Sequence, residues 1–191
     1  MEYRRGWDPR GSRLVLQAVL DVLIDDGYDG LTAEAVARRA GVAEPALGPA
    51  PDMEELAVAA LEPIKLYHAP VPTGSLRDDL RALLEAWRNP RTVDEMAVTA
   101  VLSAAEWHPR LKAAVTRSLD RPLGQAVGTM LNRAAGPDIP QAALQTLGWV
   151  LRGLAPERLR SGARSVVDLD HLAGFLLAGI EHEGTGGTAV R

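Results

Sequence analysis

Thr32 stands directly before the run AEAVARRA, and Arg38 and Arg39 close that run. A hydroxyl and unpaired amides at a helix start, with guanidinium groups on the same short segment, are groups that grip a phosphate. Arg4, Arg5, Arg10 and Arg13 gather ahead of them as a candidate basic arm. Taken singly, each of these arginines also reads as solvated surface. Other chemistries fit the chain poorly. His68, His108, His171 and His182 do not pair with each other or with a carboxylate at the i, i+4 spacing of a metal-binding helix. His182 lies between Glu181 and Glu183, but adjacent residues on a helix point apart. Cysteine is absent, which removes disulfides, thiolate catalysis and cysteine metal sites together. No Gly-X-Ser-X-Gly elbow marks a serine nucleophile. Asp25 and Asp26 read as a solvated helix end, and Asp78 and Asp79 as helix-start charge favoured by the dipole. No catalytic residue, cofactor or metal is expected.

The elements that position these groups are helices. The chain has 191 residues, 47% of them hydrophobic but only 4% aromatic, so a sizeable core must be built from Leu, Val and Ala. Strict strand alternation is not sustained anywhere. A first helix is expected from Ser12 to Asp26, with Val15, Val19, Val22 and Leu23 on one stripe and Gly27 as its stop. Thr32 then caps AEAVARRA, and Gly41 ends it. Asp52, three residues before Glu55, opens a helix expected to reach Tyr67 with a kink at Pro63. Ser75 with Asp78 starts another to Arg88, and Thr92 with Glu95 one to Trp107. Pro109 opens a long helix bent at Pro122, which GPDIP breaks. Two further helices are expected over 141–154 and 169–181, with loop or broken helix between. Residues 1–51 then form a small three-helix unit, 52–182 a helical body, and 183–191 a disordered tail.

The formal net charge is −4. Over residues 1–51 six arginines face eight acids, a net −2, whereas nucleic-acid binders are usually basic because phosphate neutralisation supplies their affinity. The opening MEYRRGWDPRGSR has no apolar stretch of the kind a secretory signal needs. No segment approaches the ~18 apolar residues of a membrane span. A cytoplasmic protein with no membrane partner is expected.

The stretch LQAVLDVLIDDGYDGLTAEAVARRAGVAEPAL resembles the amino-terminal pattern of TetR-family bacterial transcriptional regulators. EWHPRLKAAV is similar to the point in that family where a His- or Asp-Pro opens a long helix. The resemblance implies an all-α fold, a helix-turn-helix domain followed by a larger ligand-binding and dimerisation bundle. It also implies a homodimer that holds a duplex DNA operator, a small-molecule effector that releases it, and no catalysis. In such a motif a small residue is needed where the helices approach closely, and Ala40-Gly41 supplies it. DNA contacts are assigned on this basis to Arg4, Arg5, Arg13, Thr32, Arg38, Glu44, Pro45 and Ala46.

The match breaks at the reading helix. Ala43 stands where the family has a capping Ser, Gly48 where it has a phosphate-binding Tyr, and Met53 where it has a Lys. Glu44 adds a carboxylate facing the phosphates. Glu44 to Gly48 allows a helix only roughly 7.5 Å long, and Pro49 and Pro51 forbid its extension.

Tyr67, Trp87, Met96, Trp107 and Met130 are the candidate lining of an apolar effector pocket, or simply core. Leu144, Leu147 and Leu151 on one helix, with Leu154 beside them, and Leu172, Leu176 and Ile180 on the next, form stripes suited to a two-fold four-helix interface or to burial within one chain. Gly148 would allow close approach. Three functional readings follow: a ligand-controlled regulator, in most such proteins a repressor; a scaffold of the same fold that has lost DNA binding and serves ligands or partners; and a helical-bundle enzyme.

Overall fold

The structure, a computed structural model, describes residues 9–48, 50–67, 71–86, 91–134 and 141–161, together with 171, 172, 174–176 and 178. It is all-α, with no strand among the described residues. The helices are α1 (Pro9–Asp26), α2 (Ala33–Ala40), α3 (Met53–Leu61), α4 (Leu76–Ala86), α5 (Val93–Val101), α6 (Pro109–Val115), α7 (Arg121–Ala134) and α8 (Gln141–Ser161). Residues 171, 172, 174–176 and 178 are also helical. Described residues within Met1–Lys65 and Thr92–Leu119 pack as one compact unit, and those within Leu66–Arg91 and Asp120–Arg191 as a second.

In the first unit, Val15, Ala18, Val19, Val22 and Leu23 form the buried stripe of α1. α2, α3 and α5 pack on α1, and α6 packs on α3. Helix α1 begins at Pro9, earlier than the expected Ser12; proline suits a first helical turn, where its missing N–H has no partner to lose. Helix α3 is shorter than expected and has no kink, because it stops at Leu61. Pro63 disfavours helical backbone at the residue before it and cannot donate to the Ala59 carbonyl. Glu62 N–H takes that carbonyl instead, at 3.4 Å, and the chain turns away. Helix α5 opens with a full capping box: Thr92 Oγ1 accepts from Glu95 N–H and Glu95 Oε2 from Thr92 N–H. It ends at Val101 rather than Trp107, where Leu102 N–H tightens onto Thr99 O and a separate 3₁₀ turn, Ala104–Glu106, follows.

The long helix expected from Pro109 is interrupted by a π turn over Thr116–Asp120. Pro122 has no N–H for the Ser118 carbonyl, so the irregularity falls in the turn before the proline.

The second unit is built from α4, α7, α8 and the helical residues after 170. Leu80, Leu84, Leu123, Val127, Met130, Leu144, Leu147, Leu151 and Leu176 share one core. Helix α8 runs to Ser161, past both the expected end at Leu154 and the internal Pro156. Its apolar stripe continues through Leu151, Ala155 and Leu159, all buried, and Arg91 Nη1 donates to Leu159 O at 2.9 Å. That burial outweighs the one backbone hydrogen bond the proline removes. Gly148 faces α7 of the same chain, where an added Cβ would lie 3.3 Å from Leu131 Cδ1. The close approach it permits is therefore internal.

Asp79 is buried near the start of α4 and accepts from the Thr73 hydroxyl (2.7 Å) and Thr73 N–H (2.8 Å). These bonds, the hydroxyl's first, hold its carboxyl below the usual range, with Arg133 adding to the effect and burial opposing it. The stabilisation is present above the ordinary carboxylate pKa near ~3.9 and is lost as pH falls through the depressed folded value. Asp79→Ala is expected to lower stability at pH 7 by about 1.5–3 kcal/mol, read by urea denaturation. Its loss relative to the parent chain should shrink as pH falls below 4.

Candidate nucleic-acid interface

Helix α2 and the turn after it form the site. Thr32 has extended backbone, and its Oγ1 accepts from Ala35 N–H at 3.1 Å. Thr32 is exposed, and the amides of Ala33 and Glu34 have no carbonyl to pair with inside the helix. The helix ends on Gly41 at φ 69°, with Gly41 N–H on Arg38 O (3.3 Å) and Val42 N–H on Ala37 O (3.0 Å). This is a Schellman closure. A Cβ on Gly41 would meet nothing within 4 Å, so glycine is needed here for its left-handed backbone and not, as expected from the sequence, for close helix approach.

The reading segment is a single 3₁₀ turn, Glu44–Leu47, with Pro45 in its first turn. Ala43 makes no side-chain cap, and Gly48 at φ 101° ends the turn. Leu47 is 0% exposed and pins the turn to the first unit, while Glu44, Pro45 and Ala46 stand in solvent. The outward surface of the turn thus carries one carboxylate and no cation.

The cations nearby are unequal. Arg39 is tied back to α1, Nη2 to Asp25 Oδ2 at 2.7 Å, with Asp21 Oδ2 3.9 Å from Nη1. The hydrogen bond it donates to Asp25 raises its already high pKa. Arg38 is exposed and, among the described residues, paired only with Glu34, one turn back, at 3.3 Å. A surface pair of this kind contributes little and yields readily to a phosphate. Arg13 is exposed on α1. Arg4 and Arg5 lie outside the described residues.

Behind the reading turn is a cluster that sequence reasoning missed. Asp52 caps α3 by accepting from Glu55 N–H (3.1 Å), and Arg110 Nη1 donates to its Oδ2 (2.8 Å). The backbone bond from Glu55 and then Arg110 hold the Asp52 carboxyl below its usual range, against burial. Glu54 Oε2 lies 3.6 Å from His108 Nδ1, and the His108 ring meets Tyr28 edge to face at 5.3 Å. Burial first, then the charges of Glu54 and Asp52, push the Tyr28 phenol up. The turn after α1, the start of α3 and the start of α6 therefore meet at one point. The cap at Asp52 has a sequence signature, but its partner stands 58 residues away and has none.

The other candidate residues are scattered. Met130 is core of the second unit and Tyr67 packs against that core. Met96 is half-buried in the first unit. Trp107 is 83% exposed, not in a pocket wall, because the chain turns at Ala104–Glu106 and a new helix starts at Pro109. Trp87 lies outside the described residues. Leu144, Leu147, Leu151 and Leu176 are buried in their own chain and Leu172 packs partly against them, so they are not open to a partner. The exposed apolar residues of this region are Trp149 (78%) and Phe175 (72%). Ile180 lies outside the described residues. Among the described residues no group of three or more His, Asp or Glu is placed to hold a metal, and no helix is long and apolar enough to cross a membrane.

Fold and site together describe a helical protein carrying a helix-turn-helix at its amino-terminal end. No family model matches the chain. It is 36% identical over 107 residues to uncharacterised HTH-type transcriptional regulators of Mycobacterium tuberculosis and Mycobacterium bovis. The match takes in 55% of this chain, and the chain spans about half (52%) of the length of these curated relatives. The fold is that of NalD, the secondary repressor of the MexAB-OprM multidrug efflux pump in Pseudomonas aeruginosa, with TM-score 0.50 and 20% identity over 92% of this chain and 96% of that one. A TetR-like regulator from Rhodococcus sp. aligns with TM-score 0.48 and 19% identity, over 95% and 100% of the two chains.

Leu47→Ala removes the pin of the reading turn. It is expected to cost about 2–5 kcal/mol in urea denaturation, with amide exchange over 43–48 rising more than over α7.

Proposed function

We propose that the chain is a TetR-type transcriptional regulator that represses by holding duplex DNA and lets go when a small molecule binds. The observation that carries this reading is the α2 start: an exposed Thr32 hydroxyl and unpaired first-turn amides, closed at the other end by a Schellman glycine and followed by a pinned, protruding turn. The grip assigned to it is mostly on phosphates. Thr32, Arg38, Arg13, Arg4 and Arg5 hold the backbone, while Glu44, Pro45 and Ala46 approach the bases with little to read them by. Regulators of this kind have no catalytic step. In this reading residues 1–51 take the DNA and the remainder serves effector and partner, with α3, α5 and α6 packed in the same unit as the DNA-holding segment.

In this reading the protein is a dimer, and a second copy covers the solvent face of α8. Trp149 supports this, as an aromatic with small neighbours, Ala142, Thr146 and Gly153, on the same exposed face. The second functional reading, a scaffold without DNA binding, draws on the single 3₁₀ turn and its carboxylate.

A gel-shift titration against duplex from its own upstream region, at 50 and 200 mM salt, distinguishes them. The regulator should bind with salt-sensitive affinity, and Arg38→Ala should weaken all sequences alike and reduce the salt slope by about 1. Absence of any salt-sensitive binding establishes the scaffold. For the dimer, Trp149→Glu is expected to raise the dissociation constant by about 30-fold or more in sedimentation equilibrium, and an unchanged mass distribution would remove α8 from the interface.

A further inference from the structure

Helices α3 and α6 run parallel. Arg110 meets Asp52 at their starts, and at their far ends Ser118 Oγ donates to Leu61 O at 3.1 Å. Between these contacts lies a surface groove of about 340 Å³, lined by Glu55, Val58, Arg110, Ala113 and Arg117. Its volume is at the lower end of the range for small-molecule sites. Its charge is distributed along its length. Glu55 and Arg110 stand at the end nearest the helix starts, Val58 and Ala113 occupy the middle, and Arg117 stands at the far end. Arg117 is seven residues beyond Arg110, about 10 Å along the axis.

Arg110 is already paired with Asp52. The Glu55 carboxylate and the Arg117 guanidinium make no hydrogen bond or ion pair with any described residue. Arg117 also lies within the π turn, a local widening that re-aims side chains and recurs at functional sites. Two opposite charges therefore line the same groove toward its two ends without pairing with each other, and an apolar strip lies between.

We propose that this groove binds a linear zwitterion. An ammonium group lies against Glu55, a carboxylate forks onto Arg117, and an unbranched aliphatic spacer covers Val58 and Ala113. A simple anion leaves Glu55 facing its apolar tail, and a simple cation does the same to Arg117. The proposal stands whether or not the chain holds DNA.

The test is calorimetric titration of the full chain with 8-aminooctanoate, octanoate and octylamine. The zwitterion is expected to bind once per chain, about tenfold tighter or more than either singly charged analogue. Arg117→Gln should bring its affinity to that of octylamine, and Glu55→Gln to that of octanoate, with melting temperatures unchanged. If either variant fails to fold, the ranking of the three probes on the parent chain decides. Equal binding of the three, no binding of the zwitterion, or wild-type affinity in either folded variant overturns the proposal.

Discussion

The buried stripe of α1 is the constraint on which the first unit rests. Val15, Ala18, Val19, Val22 and Leu23 are all but closed to solvent, and each larger aliphatic side chain so buried contributes about 1.5–3 kcal/mol. Helix α2, which offers Thr32, and helix α3, which leads away from the reading turn, both lean on α1. The spacing of helix start and turn is thus set by aliphatic packing. Polar groups then refine it: Asp25 and Asp21 hold Arg39, and Asp52 holds Arg110. A segment of net negative charge thus keeps a defined helix start at Thr32. Asp21 and Asp25 are engaged in holding α2 to α1, while Glu44 faces solvent.

Local signals were readable to the residue where the physics is local. Thr32 and Gly41 bound α2 as the sequence indicates, and the short reading segment is as brief as its prolines require. Proline was the poorest guide to helix ends, because residues are buried beyond it whether or not the helix continues. Pro63 ends α3, and Ile64 and Leu66 beyond it are buried from a non-helical segment, whereas Pro156 is carried inside α8, where Arg158 and Leu159 are buried from the continuing helix. Periodicity alone located the leucines of α8 on one face but not what covers them. Leu144, Leu147 and Leu151 read equally well as interface or core, and the choice was made by α4 and α7. The contacts of Arg110 and His108 depend on pairs more than fifty residues apart and leave no local trace.

The candidate interface combines a well-formed helix start with a reading turn poor in donors. Bases are distinguished by side chains that reach their edges, and Glu44, Pro45 and Ala46 offer one acceptor group and two short apolar ones. In the proposed reading the α2 amides and Arg38 attend to the backbone. In the proposed regulator, such a surface would discriminate sequence chiefly through how readily a duplex deforms to meet it, so that stiff and flexible steps would matter more than individual letters.

The double attachment of α6 to α3 has a mechanical meaning. Two rods joined at one point can scissor, and two rods joined at both ends cannot. With Arg110 on Asp52 and Ser118 on Leu61, the remaining freedom of the pair is to slide or tilt as a single body. Since Asp52 follows the reading turn within five residues, α6 is joined through one carboxylate to the chain that leads out of that turn.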